Sequence, residues 1–310
     1  MTDGVEGLFA RTEEFPNQAA QARLTALVGL DETKDRLVAD AVVLLDPTFI
    51  SDWSTRVHGQ VIPAVRALLD RTPLFIFAGD VGVGKTELAE VLGQAIARES
   101  DTDVTLYPLS LTARGRGAVG EMTTLLTRAF ERVSKDFARA RRANGKAVAM
   151  GVLLIDEADA LAQSRELAQM HHEDRAGVNA LLRGIDGMRT DKLPVLTILC
   201  TNRIGAIDPA VSRRAASVVM FERPTHAQRA ALLTRLLACT KLQASDIDEL
   251  AAATGSRAGC DYGYTYSDLR QRLVPEIALS AYRRGVAVDM AIALEVTART
   301  PPTRPFDLAG

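Results

Sequence analysis

The 310-residue sequence has few cysteines and no excess of charge of either sign. Its three cysteines, Cys200, Cys239 and Cys260, have neither CxxC spacing nor an even-numbered pattern, which argues against a zinc site or a disulfide framework. Lys and Arg number 37 and Asp and Glu number 39, so the formal net charge is -2. No global basic field would therefore attract nucleic acid or an anionic membrane.

The sequence also lacks a long apolar run and an apolar segment at its N-terminus. The opening MTDGVEGLFARTEEF carries acidic residues early, so we expect no signal peptide. The longest apolar run, residues 147–155, is far below the roughly 20 residues that span a bilayer, and two carboxylates follow it. We expect a cytoplasmic protein with reduced thiols and no membrane partner.

Short apolar segments that end in polar or glycine-rich turns recur along the first two thirds of the chain, and helical patterns separate them. These segments are residues 73–78, 104–109, 151–155, 195–200 and 217–221. Runs this short, without clean alternation, are typical of a parallel sheet that is covered on both faces. We therefore predict an α/β fold with a five-stranded parallel sheet.

Only helical patterns follow Pro224. Thr225 and Gln228 match a capping box that opens a leucine-rich helix, and further helices are expected over 246–254 and 265–284. We predict an N-terminal extension over 1–23, a large α/β domain over 24–223, a small helical domain over 224–300 and a loosely held tail over 301–310.

A glycine-rich motif follows the first predicted strand. Residues 79–86 read GDVGVGKT, which satisfies G-x-x-x-x-G-K-T, and a helical run follows over 87–97. In such a loop the N–H groups and the helix N-terminus face phosphates, the lysine (Lys85) reaches the β- and γ-phosphates, and Thr86 ligates Mg²⁺. A plain glycine-rich turn is the alternative, but both flanking elements favour a phosphate loop. We predict binding of ATP and Mg²⁺, with nucleotide contacts from Gly79, Asp80, Val81, Gly82, Val83, Gly84, Lys85, Thr86 and Glu87.

Two carboxylates follow the strand over 151–155, at the edge of an α/β sheet where ligands bind. Asp156 is predicted to hold the Mg²⁺ shell, and Glu157 to polarise the attacking water. An Asp-Glu pair after a strand is by itself common as a solvated terminus. Together with the phosphate loop, it predicts hydrolysis of the nucleotide.

Polar groups after the next strand would complete a shared active site. Asn202 is expected to hydrogen-bond the γ-phosphate and the lytic water, although a turn-forming Asn is the alternative. Arg213 and Arg214 follow a polar turn, and their charge would be offered to the γ-phosphate of a neighbouring subunit. That role requires a ring.

At this point the sequence resembles the AAA+ ATPases over about residues 24–285. The resemblance rests on GLDE at 29–32, the Asp156-Glu157 strand, TN at 201–202 and DPA at 208–210. It implies a P-loop NTPase domain with a helical lid, and a homo-hexamer. It further implies an adenine pocket lined by Val28, Gly29 and Leu30. Asn202 would be the first sensor, and Arg214, with Arg213 as competitor, the trans-acting arginine finger.

The stretch 175–186 and the strand end at 199–202 are more particular, and resemble the pachytene-checkpoint family of AAA+ remodellers, also called thyroid-receptor-interacting proteins, which unfold HORMA-domain proteins. The ATPase pattern begins by about Leu24, so we expect a compact bacterial relative without the N-terminal adaptor-binding domain of eukaryotic members. The resemblance implies a HORMA-domain client in complex with a cGAS-like nucleotidyltransferase, and restraint of CBASS-type antiphage defence.

Two segments depart from the family pattern. Substrate-threading rings usually place an aromatic residue in the loop at 113–120, and none is present. The resemblance implies a substrate pore loop there, formed by Arg114, Arg116, Ala118 and Val119. The two arginines would grip carbonyls or acidic side chains of a polypeptide, and a mobile surface loop is the alternative. In the lid, Ser267 stands where many relatives have a sensor arginine. Either Arg270 or Arg272 would reach the nucleotide instead, or the lid would sense the nucleotide in a different way.

Other features have competing interpretations. His171 and His172 lack a third ligand at recognisable spacing, so a second, solvated pore loop is favoured over a metal site. The basic segment 139–146 would be the contact of a DNA-linked AAA+ ATPase of the clamp- or helicase-loader kind, but a solvated helix end is simpler. A scaffold that binds ATP without turnover is disfavoured by Glu157.

Overall fold

The computed structural model of the chain describes residues 8–9, 11–111, 121–161, 171–257 and 259–306, with the backbone alone described for 171–175. The chain forms two compact units. The first contains the sheet and its surrounding helices. The second contains the C-terminal helices from Phe221 onward, together with two segments from earlier in the chain, Leu27–Leu30 and Gly79–Lys85.

Six strands form one sheet among the described residues, in the order β1-β3-β4-β5-β2-β6. They are β1 (Glu13–Phe15), β2 (Thr72–Gly79), β3 (Val104–Ser110), β4 (Met150–Asp156), β5 (Val195–Thr201) and β6 (Ala215–Phe221). The pairs β3–β4, β4–β5 and β2–β5 are parallel. The α/β class and the predicted strands are confirmed.

Helices surround this sheet in the first unit. They are α1 (Gln18–Ala26), α2 (Asp31–Leu45), α3 (Thr48–His58), α4 (Pro63–Leu69), α5 (Lys85–Ser100), α6 (Glu121–Phe137), α7 (His171–Thr190) and α8 (Pro209–Ser212). Every residue of β5, and all but the last of β4, is buried. Because successive strand residues point to opposite faces, both faces of these central strands are covered.

The sixth strand corrects the predicted count of five. β1 pairs antiparallel with β3 at one edge of the sheet, within the segment expected to be an extension. The Phe15 ring is buried against Gly93 of α5, where an added Cβ would lie 2.6 Å from the ring. A three-residue strand is too short for an alternating pattern, which is why the sequence did not reveal it.

One face of the sheet packs against α6 and α7. The apolar stripe of α6 places Leu126 and Phe130 in a core with Leu153 and Ile155 of β4. At Gly184 of α7, an added Cβ would lie 2.2 Å from the Phe130 ring. The absence of a side chain at Gly184 therefore allows the two helices to pack closely.

The second unit has its own apolar core. Its helices are α9 (His226–Leu236), α10 (Ala244–Ala253), α11 (Val274–Arg284) and α12 (Met290–Arg299), and a π-helical segment, Asp268–Leu273, precedes α11. The core includes Leu233, Leu250, Leu269, Ile277 and Ala293. The predicted capping box at Thr225 and Gln228 is confirmed, with both reciprocal hydrogen bonds present.

The C-terminal segment is held more firmly than the sequence suggested. The Thr303 amide donates to Asp268 Oδ2 at 3.0 Å and its hydroxyl to Asp268 Oδ1 at 2.6 Å. Asp268 is buried, so its carboxylate needs these donors. A loose tail was therefore the wrong expectation for residues 301–306.

No helix among the described residues is both long enough and apolar enough to cross a membrane.

Candidate nucleotide-hydrolysis site

The phosphate loop of the second unit depends on glycine at two crowded positions. At Gly79 (φ 150°), an added Cβ would lie 2.1 Å from the carbonyl oxygen of Phe221. At Gly82 (φ 76°), it would lie 2.8 Å from the side chains of Thr265 and Ser267. Positive φ and this crowding both exclude larger residues, so the loop keeps a conformation that only glycine allows.

Lys85 lies inside this loop. Its side chain is buried, and Nζ donates to the carbonyl oxygens of Gly79 at 2.9 Å and Asp80 at 2.7 Å. As the first residue of α5, it extends from a helix N-terminus, where the orphan amides favour anions. The arrangement suits a lysine that meets the β- and γ-phosphates of a nucleotide.

The hydroxyl and carboxylate predicted to bind metal lie together in the first unit. Thr86 Oγ1 donates to Asp156 Oδ2 at 3.1 Å. Thr86 lies in the first turn of α5, and Asp156 is the last residue of β4. Hydroxyl and carboxylate oxygens are ligands that Mg²⁺ prefers, so this pair fits that ion.

Glu157 is held by two constraints that the sequence did not reveal. Its backbone has φ 56°, a left-handed conformation that is uncommon for non-glycine residues. Ser110, at the end of β3, donates from Oγ to Glu157 Oε2 at 2.9 Å. The β3–β4 register pairs Ser110 with Asp156, which explains why the serine reaches the following glutamate. The sequence held one sign of this contact, because Ser110 is a polar residue at the end of a predicted strand.

Asn202 belongs to the same edge of the sheet. β5 runs parallel to β4, with Leu199 beside Ile155, so both strands end at this edge. Asn202 directly follows β5. The carboxyl ends of three adjacent strands thus carry Ser110, the Asp156-Glu157 pair and Asn202, the location expected for a ligand site in an α/β sheet.

The two candidate finger arginines differ in their contacts. Arg214 forms a bidentate ion pair with Asp186 of α7, with Nε–Oδ1 3.0 Å and Nη2–Oδ2 3.1 Å, and donates from Nη1 to the Ala210 carbonyl. The hydrogen bond to Asp186 raises the pKa of Arg214 above its ordinary value. Arg213 is exposed, and its side chain forms no hydrogen bond or ion pair with the part of the chain that the structure describes.

The segment predicted to line the adenine pocket belongs to the second unit. Val28 packs against that unit's core, and Gln228 Nε2 donates to the Gly29 carbonyl at 3.0 Å. Gly29 has φ 73°, and an added Cβ would lie 2.6 Å from the Gln228 side chain. Leu30 follows within the same segment.

Four other predicted residues have diverse surroundings. In the phosphate loop, Val83 is buried and Val81 is exposed. Glu87 of α5 accepts a hydrogen bond from Arg23 Nε of α1 at 2.8 Å, which is a structural role. Arg270 is exposed and forms no hydrogen bond or ion pair among the described residues.

The predicted pore loop, Arg114, Arg116, Ala118 and Val119, lies outside the described residues. The side chains of His171 and His172 also lie outside the described residues, but their backbone begins α7, so the predicted solvated loop is wrong at these two positions. Within residues that are described, no group of three or more His, Cys, Asp or Glu side chains is arranged to hold a metal ion.

The basic segment 139–146 has partly structural roles. Arg141 donates to the carbonyl oxygens of Leu45, Gly145 and Lys192 at 2.7–2.8 Å, and burial lowers its pKa. α6 ends at Phe137, before this segment, so the segment is not the helix end that the sequence suggested. No observation here favours a nucleic-acid contact.

The sheet and the phosphate loop together define a P-loop ATPase. Residues 75–223 match the AAA family, the ATPase family associated with various cellular activities. Together with a relative that is 50% identical over 302 residues, this match makes the chain an ATPase of the AAA class.

Relatives that match nearly the whole chain show which family of AAA ATPases it belongs to. CD-NTase-associated protein 6 of Escherichia coli (strain MS 115-1) is 50% identical over 302 residues, which are 97% of each chain. A chain in the solved E. coli MS115-1 HORMA:CdnC:Trip13 complex matches with a TM-score of 0.87 and 48% identity, over 96% of this chain and 97% of that one. The solved Rhizobiales Trip13 matches with a TM-score of 0.74 and 40% identity, over 96% and 100%. The chain belongs to the CD-NTase-associated protein 6 family of Trip13-like AAA ATPases.

Proposed function

We propose that this ATPase uses ATP hydrolysis to remodel a HORMA-domain protein, releasing it from a CD-NTase and so restraining a CBASS-type antiphage system. The observation that carries the proposal is the near-complete structural match to a chain solved in complex with HORMA and CdnC. The sequence resemblance to HORMA remodellers agrees with this client.

Mg-ATP is the proposed nucleotide. The loop amides of residues 79–84 and the Lys85 ammonium bind the phosphates. Thr86 and Asp156 would hold Mg²⁺, which neutralises charge on the β- and γ-phosphates when bound. Glu157 orients and deprotonates the attacking water, and the Asn202 amide positions that water against the γ-phosphate.

The proposed active form is a cytoplasmic homo-hexamer in which each subunit completes its neighbour's site. Arg213 is the better candidate for the trans-acting finger because its guanidinium is exposed and lacks a partner among the described side chains. Arg214 is held by Asp186, so it would have to break that pair before it reached another subunit. Arg214 then serves to position the turn that carries Arg213.

The proposed pore loop remains a prediction from the sequence. Arg114 and Arg116 would bind carbonyls or acidic side chains of the client, and Val119 would supply a small apolar contact. ATP hydrolysis would then move the gripped segment.

The test uses the purified chain with a HORMA-domain protein and a CD-NTase from the same organism. We expect the HORMA protein to stimulate ATP turnover, and ATP to separate a preformed HORMA:CD-NTase complex on a sizing column. Glu157→Gln should bind the HORMA protein in the presence of ATP without separating the complex. Lys85→Ala, which lacks the phosphate-binding ammonium, is the control. It should neither bind the HORMA protein in the presence of ATP nor separate the complex.

Two results would contradict this function. One is turnover that the HORMA protein leaves unchanged while the complex stays intact. The other is stimulation by DNA, with binding that weakens steeply as salt rises, which would favour the loader-type alternative.

A further inference from the structure

Arg223 is the hub of a polar network in the second unit. Its side chain is only 15% exposed, and its guanidinium contacts three separate parts of the chain. Nε donates to Asp80 Oδ2 at 2.8 Å, Nη1 to the Gly263 carbonyl at 2.6 Å, and Nη2 to the Thr303 carbonyl at 2.8 Å. Nη2 also donates to Asp80 Oδ2, and the guanidinium lies 5.1 Å from the centre of the Tyr262 ring. Arg223 therefore joins the phosphate loop to the C-terminal segment.

Asp80 brings an anionic carboxylate into the phosphate loop. An unneutralised charge beside the nucleotide phosphates would repel them, and low solvent exposure would strengthen that repulsion. The Asp80 side chain is only 16% exposed, and both of its oxygens are occupied. Oδ2 accepts from Arg223, while Oδ1 accepts from the amides of Val81 at 2.8 Å and Phe306 at 3.0 Å.

The C-terminal segment is itself fixed. Thr303 donates to the buried carboxylate of Asp268, and Arg272 Nη1 donates to the Thr303 hydroxyl at 3.1 Å. The same Asp268 accepts from the Thr265 amide at 3.0 Å, at the start of the π-helical segment. The Phe306 amide thus approaches Asp80 from a segment that the lid holds in place.

We propose that Arg223 and residues 303–306 form a clamp that neutralises Asp80 and positions the phosphate loop for ATP. We call this set the C-terminal clamp. Arg223 is a positioning residue that acts through Asp80, and Phe306 contributes its backbone N–H. The inference rests on the proposed binding of Mg-ATP by the phosphate loop.

The clamp also gives the lid a route to the nucleotide that does not need Arg270. The Ser267 amide donates to the Gly82 carbonyl at 3.1 Å, so the start of the lid's π-helical segment contacts the loop directly. Asp80 and Gly82 are two residues apart in the loop. A shift of Phe306 or of Ser267 would therefore change the conformation of the loop that holds the phosphates.

A charge-rescue experiment separates neutralisation from a merely structural ion pair. The Kd of a fluorescent ATP analogue and the KM and kcat for ATP are measured for the wild type, Arg223→Gln, Asp80→Asn and the double variant. Arg223→Gln leaves the Asp80 charge unneutralised, so we expect Kd and KM to rise about tenfold or more, with a smaller change in kcat. Asp80→Asn should bind ATP more tightly than the wild type. The double variant should recover most of the affinity that Arg223→Gln loses.

A purely structural role for Arg223 would give the opposite pattern, since removing the second partner cannot restore a lost contact. A double variant as weak as Arg223→Gln, or an Arg223→Gln with wild-type Kd, overturns the proposal. Far-UV circular dichroism and thermal melts establish that each variant is folded. Failure of the wild type itself to bind the analogue would instead contradict the proposed nucleotide site.

The backbone contribution of Phe306 has its own matched pair. Phe306→Pro removes the N–H that Asp80 accepts, whereas Phe306→Ala keeps it and removes only the ring. We expect Phe306→Pro to weaken ATP binding several-fold more than Phe306→Ala does. Equal affinities of the two variants would exclude the Phe306 amide from the clamp.

Discussion

At the scale of single residues, the proposed general base is held in one place. Glu157 has a left-handed backbone and accepts a hydrogen bond from Ser110. Strain of this kind persists only where surrounding contacts over-determine the residue, and it is frequent at active sites. The Ser110 hydroxyl is therefore expected to orient the carboxylate toward the water.

Ser110→Ala should lower kcat for ATP about fivefold and leave KM nearly unchanged, because a hydrogen bond of about 1 kcal/mol is lost from the base and not from the phosphate loop. Ser110→Thr keeps a hydroxyl and is the matched control. Steady-state ATPase assays measure both constants. A rise in KM with constant kcat would place Ser110 in nucleotide binding instead.

The paired arginines give a second prediction. Arg213→Ala should lower ATP turnover at least about a hundredfold, because a finger arginine stabilises transition-state charge. The thermal midpoint should stay constant, since the side chain is exposed. Arg214→Ala and Asp186→Asn each break the same ion pair, so both should lower the free energy of unfolding by a similar amount. For a partly exposed pair that amount is at most about 1 kcal/mol. Full turnover by Arg213→Ala would reassign the finger to Arg214.

At the scale of elements, Gly184 allows α7 to approach the Phe130 ring of α6 closely. Gly184→Ala should destabilise the protein by about 1–3 kcal/mol, because the new methyl group enters space that the Phe130 ring occupies. Urea unfolding measures the change. Adding Phe130→Leu should recover part of the loss, since the smaller side chain leaves room.

The control lies one turn further along α7. An added Cβ at Gly187 would meet no atom of the described residues within 4 Å, apart from the nearby backbone of α7, so Gly187→Ala should gain up to about 1 kcal/mol from its helix propensity. If both substitutions destabilised the protein, the loss at Gly184 would come from replacing a glycine in α7 and not from a clash with Phe130.

Asp268 makes the second unit sensitive to acid. Burial raises its pKa, but hydrogen bonds from Thr303, Thr265 and Arg272 lower it more, so the pKa lies below its ordinary value. A depressed pKa in the folded state means that the stabilisation is complete above the unfolded value of about 4 and is lost as pH falls below it.

Asp268→Asn should therefore be less stable than the wild type at pH 7, where an amide donor would replace an accepting oxygen. The difference should shrink below about pH 4, as the wild-type carboxylate becomes protonated. Urea unfolding of both proteins between pH 3 and 7 measures it. A difference that stays constant with pH would mean that Asp268 acts through shape alone.

Elements with a local signal could be predicted from the sequence. The strand expected over 151–155 is Met150–Asp156 in the structure, and the phosphate loop is specified by eight consecutive residues. β1, the helices α1 to α4 and the helix α12 were missed. β1 is too short for a period, and no capping motif drew attention to those helices.

The contacts around the site were less predictable because they join distant positions. Ser110 lies 47 residues before Glu157, and Arg223 lies 143 residues after Asp80. Neither pair forms a motif, since only the sheet register and the packing of the second unit bring the partners together. The ion pair of Arg214 with Asp186 could not be predicted for the same reason, because the two residues are far apart in the sequence.

At the scale of the whole molecule, the proposed ring permits complementation between inactive subunits. Arg213→Ala subunits keep Glu157, and Glu157→Gln subunits keep Arg213. Each pure protein should be inactive, whereas a one-to-one mixture should regain about a quarter of the wild-type turnover, the fraction of interfaces that combine the intact groups. Native mass spectrometry confirms mixed rings. Mixed rings without turnover would contradict a trans-acting Arg213.

The C-terminal clamp also affects the order in which the chain matures during translation. Asp80 accepts a hydrogen bond from Phe306, 226 positions later. At roughly 5–20 residues per second, the ribosome makes Phe306 roughly 10–45 seconds after the phosphate loop. Nascent chains would therefore carry a complete GDVGVGKT motif long before they hold it in its final conformation. Tight binding of ATP would begin only after Phe306 has left the ribosome and donates its hydrogen bond to Asp80.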